Sequence, residues 1–248
     1  MFSQAVWLFQ DYSSDTIPNY QSIKFSMSAM ARLARVVVPS IPHHITQRGN
    51  RRMETFFGEA DYCEYLHLMA QWCNRCKVQI WSYCLMPNHV HLIAVPGTED
   101  SLRRAIGEAH RRYTRYINFQ KGWKGHLWQG RFASYPMDEQ HLVAATRYIE
   151  LNPVRAGLVK KPEEYKWSSA LAHLQGEDDI LFKVEPLSAI VRNWRDLLKT
   201  DLTEDEKETI RRHERTGRPA GSAGFLSRLE KMTKRRLTKQ KPGPKRKN

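Results

Sequence analysis

Residues 78–96 read VQIWSYCLMPNHVHLIAVP, and no other stretch constrains the fold as much. Two apolar runs of strand length flank Pro87-Asn88. Proline withholds a backbone donor and asparagine accepts tight turn geometry, so the chain reverses there. The stretch predicts a β-hairpin with Met86 to Asn88 at its corner. Its second strand carries two histidines, His89 and His91, in an otherwise apolar run. Side chains alternate along a strand, so both imidazoles share one face and Val90 takes the other.

The flanking chain extends this hairpin into a sheet. A first strand is expected at about His43 to Arg48, ended by Gly49-Asn50. In GEADYCEYLHLMAQWCNRC, Tyr62, Leu66, Met69 and Trp72 recur at helical spacing and predict an amphipathic helix. Gly97 to Ser101 supplies turn and cap residues, and a second helix follows over about Leu102 to Ile117. A strand is expected at Phe132 to Tyr135. Asp138 then caps a helix that reaches about Ile149. Pro153 cannot extend it, and Asn152, directly before the proline, is expected out of helical geometry. The order over residues 43–150 is βαββαβ plus a further helix. This is an α+β, ferredoxin-like or RRM-like fold: an antiparallel sheet with helices on one face.

Four regions follow. Residues 1–29 read as a loose N-terminal extension and 30–170 as the main domain. Residues 171–230 read as a helical C-terminal extension, hinged by RTGRPAGSAGF. The last segment, 231–248, holds nine Lys/Arg and no acid, so it reads as a basic, solvated arm.

Forty Lys and Arg against 26 Asp and Glu leave a net charge of +14. A chain this basic expects a polyanion, above all nucleic acid. No apolar run approaches the roughly 20 residues of a spanning helix. Cys63, Cys73, Cys76 and Cys84 are too sparse for a disulfide framework, and the CxxC of Cys73 and Cys76 has no second pair to complete a zinc site. The N-terminus lacks the basic start of a secretory signal. These features together place the chain in the cytosol.

Two same-face imidazoles, about 7 Å apart along a strand, can converge on one divalent cation. Taken alone they are equally two satisfied histidines. A second stretch, TRYIELNPVRAGLV, places Tyr148 and Asn152 four residues apart on one helical face. One offers a phenol oxygen and the other a hard amide oxygen suited to Mg²⁺ or Mn²⁺. The bland alternative is a core tyrosine and an Asn-Pro helix stop. Tyr113 and Tyr116 are rival nucleophiles on the second helix. His43 and His44 are expected to be structural or substrate-facing.

MPNHVHLI, GHLWQGRFAS and RYIELNPVRAGLV, in that order, resemble the HUH single-tyrosine transposases. Within them the resemblance is to the REP-associated tyrosine transposases, and it spans about Met30 to Ser169. It implies that His89 and His91 bind Mg²⁺ or Mn²⁺, that Tyr148 is the nucleophile, and that Asn152 is the third ligand. Related insertion-sequence enzymes carry glutamine at that last position, one methylene longer. The implied substrate is a single-stranded DNA hairpin, cut through a 5′-phosphotyrosine intermediate and rejoined by strand transfer. The implied state is a monomer attacking in cis.

Single-stranded DNA needs a basic groove with aromatic platforms. Arg103, Arg104, Arg111, Arg112 and Arg115 on the second helix, with Arg131 beyond it, are the candidate DNA contacts. Tyr113, Tyr116, Phe119, Trp123, Trp128 and Phe132 are interleaved with them, and about half of these must be core. Two other classes compete. A non-catalytic RRM-like module would carry aromatics on its central strands, and HVHLIAVP has none. A metal-dependent nuclease that activates water would keep the histidines but not need Tyr148.

Overall fold

The computed structural model describes residues 34–238, so the expected N-terminal extension and residues 239–248 lie outside the described part. The strands are β1 (His43–Arg48), β2 (Val78–Met86), β3 (His89–Pro96) and β4 (Ala133–Pro136). They lie in the order β2-β3-β1-β4, every neighbouring pair antiparallel. Helix α1 (Glu59–Arg75) joins β1 to β2, and α2 (Ser101–Lys121) joins β3 to β4. This is the expected ferredoxin-like arrangement.

The sheet is buried on both faces. Ile45, Leu85, Val90, Leu92 and Ala94 pack on Tyr65 and Met69 of α1 and on Leu102, Ile106 and Tyr113 of α2. Ile93, Cys84 and Met86 point the other way. They meet Leu142, Ala145 and Tyr148 of α3 (Glu139–Glu150). Helices on one face, as expected, holds for α1 and α2, while α3 and the C-terminal helices cover the second face. The run LIAV in β3 fits this, because a strand buried on both sides need not alternate. In β2 the pairing steps from Ile80↔Ala94 to Ser82↔Ile93, leaving Trp81 as an extra residue. This bulge keeps Ile80 and Tyr83 on the α1 side although they are three apart.

Asp138 caps α3 as expected, its side chain accepting from the His141 N–H at 3.1 Å. Helix α3 ends at the cap residue Leu151, and a new turn, α4 (Asn152–Arg155), begins at once with Pro153 in its first turn. Asn152 therefore opens a helical turn, a correction to the expectation. Proline is tolerated there because a first-turn N–H has no helical partner to lose.

Five helices follow: α5 (Ala170–Gln175), α6 (Glu185–Ser188), α7 (Trp194–Lys199), α8 (Glu204–Thr216) and α9 (Ala223–Thr233). Thr203 and Glu206 form a reciprocal capping box at the start of α8. Phe225 and Leu229 of α9 pack with Val36, Val38 and Leu237. Residues 231–238, expected within a solvated arm, are thus docked. Leu237 is 1% exposed, and its N–H and that of Thr238 donate to the Glu230 carboxylate. One apolar side chain among the cations was enough to anchor the segment.

Candidate active site

The second face of the sheet carries the chemistry. On β3, His89 and His91 share that face, and on β1 so does His44. His91 pairs in register with Thr46, which places His44 diagonally beside it. The His89 and His91 ring centroids lie 5.0 Å apart. Helix α3 lays Tyr148 over this group, its ring 5.7 Å from His91 and 6.5 Å from His44. One turn on, the Asn152 amide lies 3.4 Å from His89 Nε2. Arg155 holds the tyrosine from behind. Its Nη2 donates to the Tyr148 carbonyl at 2.6 Å, and its guanidinium carbon sits 4.3 Å from the centre of the ring. His89, His91, Tyr148 and Asn152, singled out in the sequence from two stretches about 60 residues apart, are brought together.

The imidazoles are neutral. Burial lowers His89 and His44 each to about 3. It also holds His91 well below the ordinary histidine range, helped by the neighbouring histidines and Arg48. A buried cationic ring would lose its hydration, so the neutral form wins. The neutral form is the one that ligates a metal. His91 Nε2 is buried and has no hydrogen-bond partner among the described residues. A buried polar atom without a partner is costly, and a cation would satisfy it. Two imidazole nitrogens and an amide, whose oxygen and nitrogen exchange places on rotation, suit a small divalent cation.

One participant escaped the sequence reading. Glu214 of α8 brings its Oε1 within 3.8 Å of His44 Nε2 and 3.7 Å of His91 Nδ1. Burial raises this carboxyl to about 7, with Arg48, Arg211 and Arg215 opposing the rise. His44, His91 and Glu214 are also close enough together to hold a cation among themselves. Nothing in the local sequence around Glu214 marks it, since it sits in a helix crowded with charges.

The basic residues divide. Arg131 lines a groove that reaches Glu214, with Thr46, Gln47, Arg48, Gln129 and Arg215. Arg103, Arg104, Arg111, Arg112 and Arg115 are exposed on α2, across the sheet from the histidines. Arg111 and Arg112 face Glu108. Of the interleaved aromatics, Tyr113, Trp128 and Phe132 are core, while Phe119 and Trp123 are 89% and 41% exposed. His43 is structural: its Nδ1–H donates to the Ile41 carbonyl at 2.7 Å and its Nε2 accepts from the Val38 N–H. Cys73 and Cys76 are free thiols, and burial pushes Cys73 far above the ordinary range.

A half-buried His89 and a buried His91 lie beside a helical tyrosine on a ferredoxin-like sheet. Residues 37–152 match the family model of the IS200-like transposases. A Haemophilus influenzae Rd protein assigned to the REP-associated tyrosine transposases is 26% identical over 117 residues. That match takes in 43% of this chain and spans 66% of the relative's length. Among solved structures, a REP-associated tyrosine transposase bound to a REP hairpin shares the fold with a TM-score of 0.52 at 21% identity. The superposition covers 61% of this chain and 90% of that one. A Deinococcus radiodurans transposase structure superposes over 48% of this chain and 95% of its own, at 19% identity and a TM-score of 0.35, too loose to carry an argument. Among the described residues no helix is long and apolar enough to cross a membrane.

Proposed function

We propose that this protein cuts and rejoins single-stranded DNA at hairpin sequences, with Tyr148 as nucleophile and a divalent cation, Mg²⁺ or Mn²⁺, at His89, His91 and Asn152. The observation that carries the reading is the placement of Tyr148 against His89 and the buried His91, whose Nε2 lacks a partner among the described residues. The Tyr148 oxygen attacks phosphorus, a phenol–phosphorus bond forms, and the bond to the 3′ oxygen of the upstream strand breaks. The phenolic proton is lost and the released 3′ oxygen takes one up, leaving a 5′-phosphotyrosine and a free 3′ hydroxyl. One phosphodiester replaces another, so the step reverses and can join a different strand. A bound cation supplies charge neutralisation and polarisation at the scissile phosphate. Arg155 fixes the tyrosine by its backbone carbonyl and its ring face, so the oxygen is held ready rather than sampled.

Arg48, Arg131 and Arg215 line the groove that reaches Glu214 and suit the phosphates of the strand being cut. The α2 arginines lie across the sheet and suit the more distant body of a hairpin. The exposed Phe119 and Trp123 at the end of that helix offer stacking surfaces. The REP hairpin bound by the structural relative supports a folded single strand as substrate. A compact site with α3 joined directly to β4 through Asp138 supports attack in cis by a monomer. A mass in solution of twice 29.1 kDa would overturn the monomer.

The test is a 3′-labelled hairpin oligonucleotide with Mn²⁺, resolved on a denaturing protein gel. The expected result is label travelling with the protein, lost on chelation and lost in Tyr148→Phe. Cleavage with no covalent band, unchanged by that substitution, would instead establish a water-using nuclease.

A further inference from the structure

The two histidines of the site are each tied at Nδ1. His89 Nδ1 lies 2.6 Å from Asn88 Oδ1. Asn88 Oδ1 can only accept, so the ring nitrogen carries the hydrogen and Nε2 is left with its lone pair, facing Asn152. His91 Nδ1 lies 3.0 Å from His44 Nε2, and His44 Nδ1 lies 2.8 Å from the Tyr135 hydroxyl. Both rings are buried, at 1% exposure each, so both stay neutral and each carries one N–H.

A chain of single hydrogens has only two polarities. In one, Tyr135 donates to His44 Nδ1, His44 Nε2–H donates to His91 Nδ1, and the His91 hydrogen sits on Nε2. That places a buried N–H without an acceptor, because His91 Nε2 has no partner among the described residues. In the other, His91 Nδ1–H donates to His44 Nε2, and His44 Nδ1–H donates to the Tyr135 oxygen. His91 Nε2 then presents a bare lone pair on the same side as His89.

We propose that His44, backed by Tyr135, is the positioning residue that fixes His91 in its metal-binding tautomer, as Asn88 does for His89. This rests on the reading that His91 is a ligand. Glu214 Oε1, at 3.7 Å from His91 Nδ1 and 3.8 Å from His44 Nε2, is beyond hydrogen-bond reach of both. Its carboxyl flanks that edge of the histidine pair without bonding to either ring. β1 and α8 thereby meet one imidazole of β3, with β4 behind them through Tyr135 on His44. Outer partners of this kind matter by roughly 10- to 100-fold in metal affinity.

The experiment measures Mn²⁺ binding to the full chain by the electron paramagnetic resonance signal of free Mn²⁺, for wild type, His44→Leu, His44→Gln, Tyr135→Phe, Glu214→Gln and His89→Ala. His44→Leu is expected to weaken binding about 10-fold or more. His44→Gln is expected to restore most of it, since the glutamine oxygen can accept from His91. Tyr135→Phe, the smallest change, is expected to weaken binding less than His44→Leu. In ¹⁵N-labelled, metal-free protein, long-range imidazole correlations are expected to place the hydrogens of His44 and His91 on Nδ1. Wild-type affinity in His44→Leu, or a hydrogen on His91 Nε2, would overturn the proposal. So would loss of binding in both His44→Gln and Glu214→Gln with His89→Ala unaffected. That pattern would make His44, His91 and Glu214 the ligands themselves. Loss of DNA cleavage by Tyr148 alone would leave these binding results standing, so the two readings fail separately.

Discussion

Tyr113 and Tyr148 are both buried tyrosines on amphipathic helices, and only their surroundings separate their roles. Tyr113 faces the α1 side of the sheet, where its hydroxyl donates to the Thr55 carbonyl at 2.7 Å. Burial holds that phenol well above the ordinary range, so it stays protonated. Tyr148 faces the histidines, with Arg155 against its ring. Tyr113→Phe is expected to cost about 1 kcal/mol from one lost hydrogen bond, read from the urea midpoint, with label transfer to Tyr148 intact. Beside Tyr148, Glu150 shows a different use of burial. Its Oε1 accepts from Ser82, Ser169 and His173, tying α3 to β2 and α5 with no exposure to water. Glu150→Ala strands those donors and is expected to destabilise by roughly 3 kcal/mol, again in the urea midpoint. The shared helical side of residues 148 and 152 was legible from their spacing, and the nucleophilic role of Tyr148 was only what the family resemblance implied. The buried role of residue 150 was not legible, because its partners lie 19 to 68 positions away.

Elements whose apolar spacing is local were read well from the sequence. The hairpin, β1 and both crossover helices owe their form to alternation and helical periodicity, and they stand within a few residues of expectation. The bulge at Trp81 was not readable, since one extra residue in a strand looks the same as an ordinary break in alternation. The side of α2 was equally invisible. Its five arginines define an exposed stripe, but whether that stripe shares a face with His89 depends on which side of the sheet the helix crosses. Helix α9 illustrates the remaining gap. Residues 171–230 were expected to be helical, but nothing in that stretch told what α9 packs on, and Leu229 is fully buried with Val36 and Val38. Leu229→Ala is expected to cost about 2–4 kcal/mol in chemical unfolding, as for other buried leucines.

Across the whole molecule, buried histidines couple stability to pH. His43 is lowered to about 4 and His110 to about 3, both mainly by burial, and both lie outside the candidate site. The unfolded chain takes up protons on these rings near pH 6.5, while the folded chain refuses them until pH falls to about 4 or below. The unfolded state therefore binds more protons in that window, and stability falls as pH drops through it. Each of the two is expected to contribute about 1 kcal/mol less stability at pH 5.5 than at pH 7.5. Urea midpoints at the two pH values check this, with His110→Phe reducing the difference. A pH-independent midpoint would show the rings taking up protons as readily in the fold as in the unfolded chain.

By itself, the sequence determined the order of strands and helices, the shared face of His89 and His91, the spacing of Tyr148 and Asn152, and a charge suited to a polyanion. Each of these depends on neighbours within about one helical turn or one strand. Only the tertiary structure decided that α3 lies on the histidine face, that the α2 arginines lie on the other, and that His44, Tyr135 and Glu214 meet at His91. Those placements follow from strand order and crossover side. They are set by burial summed over the whole sheet and leave no mark in any short stretch of residues.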